Sequence, residues 1–169
     1  FKKELVTNIK ERVLEAGERI KEYFEIEEIQ EERHNQAYEG CLFSIDQHRF
    51  RSRLAKKTPK KKGWFVVFWE KDSQQHNQAY SFEESPDRVI VTVMDDDKCG
   101  QFLFPKEVLR KQSVLRTEES KGKMALRVYP NWEKDLSDAA LKTQKWQSPS
   151  FISLPQGLRR EALRPFYFG

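Results

Sequence analysis

The chain has 169 residues, 12% of them aromatic and 34% charged, with 31 Lys and Arg against 27 Asp and Glu for a net charge of +4. That length fits one domain with a buried core, and the aromatic content argues against a disordered chain. No run of about 18 apolar residues is present to span a membrane, the two cysteines Cys41 and Cys99 build neither a disulfide framework nor a zinc cluster, and no short period marks a repeat protein. The expectation is a cytoplasmic protein of a single domain, residues 1–169, with no membrane partner.

Residues 1–24 read as an amphipathic helix, because Leu5, Val6, Ile9, Val13, Ala16, Ile20 and Phe24 recur at helical spacing with Lys and Glu between them. Glu25, Glu27, Glu28, Glu31 and Glu32 follow, as an extension of that helix or a solvated connector. From Tyr38 the pattern changes to short β-type runs. Residues 38–45 and 50–56 flank a turn and form a hairpin. Residues 64–69, nearly all apolar and aromatic, read as a central strand. A long polar loop spans 72–85. Residues 89–94 are a second apolar strand, turned at 95–100 into a short strand over 101–104. Pro105 suits the start of a helix running to about 112. A strand over 124–129 precedes a helix through Ala139, Ala140, Leu141 and Trp146, capped by Asp135 or Ser137. Residues 151–169 read as a loosely docked tail. The sum is an α+β fold: a mixed or antiparallel sheet of five or six strands flanked by helices.

Charge is segregated. Arg49, Arg51, Arg53, Lys56, Lys57, Lys60, Lys61 and Lys62 stand together with no acid between them, and these eight cations leave the rest of the chain at −4. In an extended strand Arg49, Arg51 and Arg53 share one face and Phe50 and Leu54 the other, the pattern of a strand at the surface of a sheet. Arg forks match phosphate oxygens and Lys adds point charge. Trp64 stands beside the lysine loop as a stacking candidate.

Catalytic patterns are weaker. Pro86-Asp87 and Asp96-Asp97-Lys98 have the residue types of a Mg²⁺-dependent nuclease. They flank one strand, however, which separates them by about 25–30 Å at ~3.3 Å per residue. In a hairpin version Glu39 faces Lys56, with Asp46 or Asp87 as a further ligand, but Leu54 occupies the position where the pattern wants a carboxylate. No other metal set is seen: His34, His48 and His76 are widely spaced. No phosphate-cradling glycine loop is present.

Several motifs in order carry a family likeness: Arg53-Leu54-Ala55-Lys56-Lys57-Thr58-Pro59-Lys60, Gly63-Trp64-Phe65-Val66, Trp69-Glu70-Lys71-Asp72, Gly100-Gln101-Phe102-Leu103-Phe104-Pro105-Lys106, Arg127-Val128-Tyr129-Pro130-Asn131-Trp132 and Thr143-Gln144-Lys145-Trp146-Gln147. Over residues 38–150 the chain resembles the MepB family, bacterial proteins named from an operon with a multidrug efflux pump. The resemblance implies an α+β fold related to restriction-endonuclease-like cores, with affinity for nucleic acid or nucleotides. In three of these motifs an Arg or Lys stands near an aromatic, a combination that grips a phosphate and stacks a base.

The leading expectation is therefore a nucleic-acid- or nucleotide-binding protein without catalysis and without a cofactor. Arg49, Arg51, Arg53, Lys56, Lys57, Lys60, Arg127 and Lys145 would meet phosphates, and Trp64 and Trp132 would stack. The alternatives are a metal-dependent nuclease, with Mg²⁺ held by Glu39, Asp46 or Asp87 beside Lys56, and a binder of aromatic cations.

Overall fold

The computed structural model describes residues 15–169. Along the chain run α1 (Glu15–Lys21), β1 (Glu27–Glu31), a 3₁₀ turn (Arg33–Tyr38), β2 (Cys41–Ile45), β3 (His48–Leu54), β4 (Lys56–Lys57), β5 (Trp64–Val67), β6 (Trp69–Lys71), β7 (Asn77–Ala79), β8 (Arg88–Asp95), β9 (Lys98–Pro105), α2 (Lys106–Lys111), β10 (Ala125–Val128), α3 (Asp138–Gln147), β11 (Phe151–Ser153) and α4 (Arg160–Phe168).

Six strands form the main sheet in the order β1-β2-β3-β8-β9-β11, a mixed sheet in which β3 and β8 are parallel and the other neighbours antiparallel. The β2–β3 hairpin turns at Asp46 and Gln47, both at positive φ (50° and 69°), the backbone that a two-residue hairpin requires. A parallel pair needs a crossover. Residues 55–87 supply it, and they carry β4 to β7 across one face of the sheet. There β4, β5 and β10 make a second sheet in the order β10-β5-β4, and β6 pairs with β7.

Each face of the main sheet holds a core. Under the crossover, Val89, Val91, Val93, Phe102 and Phe104 pack against Trp64, Val66, Phe68 and Tyr80. On the opposite face Phe43, Phe50, Ile90 and Leu103 pack against Ile20, Phe24, Leu163 and Tyr167 from the helical ends of the chain. Tyr167 donates to Gln101 Oε1 at 2.6 Å, which satisfies two polar groups inside that layer.

The mixed sheet, the β8–β9 hairpin and α3 with its Ser137 cap match the sequence reading. Other elements correct it. Only the end of the expected N-terminal helix is described; Leu5, Val6, Ile9 and Val13 lie outside the described residues. The acidic stretch after it is neither helix nor connector: it is the exposed edge strand β1, drawn into the sheet by pairing with β2. The aromatic run at 64–69 is broken at Phe68, with Trp64–Val67 in the second sheet and Trp69 in the β6–β7 pair, and not at the centre of the main sheet. The polar loop contains β7. The tail is part of the fold, since β11 extends the main sheet and α4 buries Leu163 and Tyr167.

Candidate nucleic-acid interface

The crossover decides which cations reach solvent. Arg51 and Arg53 stand level with Val89 and Val91 of β8, so they face the layer that residues 55–87 cover. Arg53 is fully buried and Arg51 is 6% exposed. Glu32 lies between them: its carboxylate accepts from Arg53 Nη1 at 2.7 Å and from Arg51 Nε at 3.1 and 3.2 Å. Tyr80 donates to Glu32 Oε2 at 3.1 Å and accepts from Arg53 Nη2 at 2.8 Å. The Arg51 guanidinium stacks on the Tyr80 ring, 3.4 Å from its centroid. Burial alone would raise the Glu32 carboxyl, but the charges and hydrogen bonds of Arg53 and Arg51 outweigh it and hold the group below its ordinary range. Burial pushes the Tyr80 hydroxyl up to about 12. The expected surface strand with an arginine face is thus a central strand with a covered one. Arg49, at the hairpin end, is exposed and pairs with Glu28 at 3.4 Å.

Asn35 connects this buried cluster to the surface. Its Oδ1 accepts from Arg53 Nη2 at 2.9 Å and from the Trp69 N–H at 3.2 Å, and its Nδ2 donates to the Trp69 carbonyl at 3.0 Å. The amide acts as a one-residue strand partner and fixes the 3₁₀ turn beside β5 and β6. Two rings of that turn then meet rings of the strands: Tyr38 lies edge-on to Phe65 at 6.2 Å, and His34 lies against Trp69 at 5.5 Å.

The outer face of the second sheet follows from register. Lys56, Phe65 and Arg127 form one row across β4, β5 and β10. Alternation turns Trp64, Val66, Leu126 and Val128 inward and leaves Phe65, Val67, Ala125 and Arg127 half-exposed outside. Lys56 Nζ sits 5.0 Å from the Tyr38 ring centroid and Arg127 Cζ 5.8 Å from that of Phe65. Arg127 Nη1 donates to Thr58 Oγ1 at 2.8 Å and to the Lys62 carbonyl at 3.2 Å, which fixes its fork against the basic loop. Lys71 Nζ lies 5.4 Å from the Trp69 ring. The result is a row of half-buried rings with cations over them.

The remaining site expectations divide. Lys60 and Lys145 are exposed and make no hydrogen bond or ion pair among the described residues. Lys57 is exposed on the other side of the register and lies 3.9 Å from Asp95. Trp64 is 4% exposed and donates to Glu133 at 3.2 Å, so it is a core residue and not a stacking platform. Trp132 packs edge-on against Phe151 at 5.6 Å. Tyr38 and Phe65 were missed; the Trp64/Phe65 alternation within one strand carried the signal for Phe65.

The carboxylate candidates do not converge. Glu39 is buried after the 3₁₀ turn, off the strand, where its Oε1 accepts the Ala16 N–H at 2.7 Å. The strand registers set it near the Leu54 end of β3 and set Asp87 near the Arg49 end, about five positions or ~16 Å apart at ~3.3 Å per residue. Asp46 lies in the hairpin turn. Among the described residues no group of three or more His, Cys, Asp or Glu is placed to hold a metal ion. Cys41 is buried, which pushes its thiol up to about 12. No helix among the described residues is long and apolar enough to cross a membrane.

No curated protein matches this chain. A crystal structure of MepB superposes with a TM-score of 0.76 at 44% sequence identity, over 79% of this chain and 89% of that one. The MepB-like family model matches residues 32–153. That interval opens at Glu32 and closes at the last residue of β11, so it contains the buried arginine cluster and the whole aromatic face and omits α1, β1 and α4. By both matches the chain belongs to the MepB-like family.

Proposed function

We propose that this protein binds nucleic acid or nucleotides on the outer face of the second sheet, without preference for base sequence. The observation that carries the reading is the row Lys56–Phe65–Arg127 with Tyr38 against Phe65, in which each cation lies over a half-exposed ring. Unpaired bases stack on such rings regardless of identity, while Lys56 and Arg127 beside the rings would meet the phosphates that link them, with the exposed Lys60 and the half-exposed Lys71 adding positive charge. Phosphate contacts position a strand and carry no sequence information. An aromatic cation would meet the same positive groups as like charges, which disfavours it. The reading assigns no cleavage chemistry, because Leu54 stands where a carboxylate is needed and the Glu39 carboxylate receives a backbone N–H.

Fluorescence anisotropy with short single-stranded oligonucleotides of two unrelated sequences tests this. Both bind the parent with similar affinity, and Lys56→Ala/Arg127→Ala binds about 10-fold or more weakly, since charge-assisted hydrogen bonds contribute roughly 1.5–3 kcal/mol each. Equal binding by parent and double variant at low salt refutes the assigned face.

A further inference from the structure

At Arg127 the aromatic face opens into a groove between β10 and α3. Two adjoining depressions of about 210 and 430 Å³ share Arg127, Tyr129 and Thr143. Lys123 and Trp146 line the first, and Lys61, Lys62 and the opening turn of α3 line the second. Among the described residues no carboxylate lines either one, in a chain with 27 acids among its residues. Three other depressions mix the signs: Arg116 with Glu118, Lys21 with Glu25, Arg19 with Asp97.

Lys62 ties the two walls of this groove together. Its Nζ donates to the carbonyls of Lys134 at 2.8 Å and Asp135 at 3.1 Å, which ties the basic-loop wall to the turn leading into α3. The Arg127 fork is held on the same wall by Nη1, while its Nε and Nη2 make no hydrogen bond among the described residues. Lys61 makes no ion pair among the described residues.

We propose that this groove takes the terminal phosphate of a nucleic-acid strand whose bases lie on the Tyr38–Phe65 face; the inference rests on the nucleic-acid reading of that face. A terminal monoester carries roughly −1.5 to −2 charge and three acceptor oxygens at neutral pH, more than an internal diester offers. Arg127, Lys61 and Lys62 line the place of that charge, and among the described residues no carboxylate lines it.

The test compares oligonucleotides of one sequence ending in 5′-hydroxyl, 5′-phosphate or 3′-phosphate on the full chain, with AMP as competitor. One phosphorylated end binds about 10-fold tighter than the hydroxyl form, the gain of one charge-assisted contact. Ala139→Glu, which sets a carboxylate on the groove wall at an exposed helix position, abolishes that gain by weakening the phosphorylated form more than the hydroxyl form; Lys61→Ala reduces it. Equal affinity for all three oligonucleotides overturns the inference and leaves the aromatic face standing. A gain that survives Ala139→Glu overturns it too, as does AMP competing as well as the phosphorylated strand, which would assign the groove to free nucleotides. Failure of every oligonucleotide to bind removes the nucleic-acid reading itself.

Discussion

Arg51 and Arg53 on β3 and Lys56 and Lys60 just beyond them carry the same formal charge within one short stretch of sequence. The arginines lie under the crossover, hydrogen-bonded to Glu32, Tyr80 and Asn35. The lysines lie on the crossover itself and face outward. What separates them is strand pairing. A strand that takes a parallel neighbour must send its chain back across the sheet, and the side chains on that face become interior. The charge run therefore contains two devices: a buried cluster that fixes the 3₁₀ turn, and an outer row that uses Tyr38 from that turn as a platform.

The largest effect expected from breaking this division is on stability. Arg53→Met takes from the Glu32 carboxylate the nearer of its two guanidinium partners and leaves it Arg51 and Tyr80; removal of one partner from a buried ion pair costs up to about 3–5 kcal/mol, and urea unfolding measures it. An unchanged midpoint would mean that Arg53 is not structural. The outer row should behave oppositely. Lys56→Ala/Arg127→Ala loses about 10-fold or more in oligonucleotide affinity and about 1 kcal/mol or less in unfolding free energy, as surface changes do. Phe65→Leu keeps an apolar side chain and removes a stacking surface, at a cost of about 1 kcal/mol or more in binding.

Acid sharpens the same contrast. The Glu32 carboxyl is held below its ordinary range in the folded protein, so its contribution to stability is full above the unfolded value of about 4.3 and is lost as pH falls through the folded value. Glu32→Gln therefore shows a shallower loss of stability below about pH 4 than the parent does, measured by urea midpoints across pH. The smallest effect is that of Lys60→Ala, which removes one exposed charge and lowers the slope of log affinity against log salt by about 0.7 or less.

Much of the fold was legible in the sequence because it rests on local patterns. The apolar run of β8, the β8–β9 turn, Pro105 ahead of α2 and the Ser137 cap of α3 each show in a few consecutive residues. The site was less legible because it depends on partners far apart in the chain. Nothing local to Arg53 indicates that Glu32, Asn35 and Tyr80 will enclose it, and nothing local to Tyr38 indicates that Asn35 will place it against Phe65. Trp64 and Phe65 are neighbours of similar composition, and which one faces solvent is set by the register of β5 with β10. The acidic stretch at 27–31 has no apolar face to mark it as a strand; pairing with β2 alone makes it one.

Titration of a short oligonucleotide into isotopically labelled protein, read by NMR, tests the division most directly. Signals of Tyr38, Lys56, Phe65 and the Arg127 guanidinium shift as ligand is added, while the Nε–H signals of Arg51 and Arg53 stay in place. Movement of the Arg51 and Arg53 signals with the Tyr38–Phe65 face unmoved contradicts it.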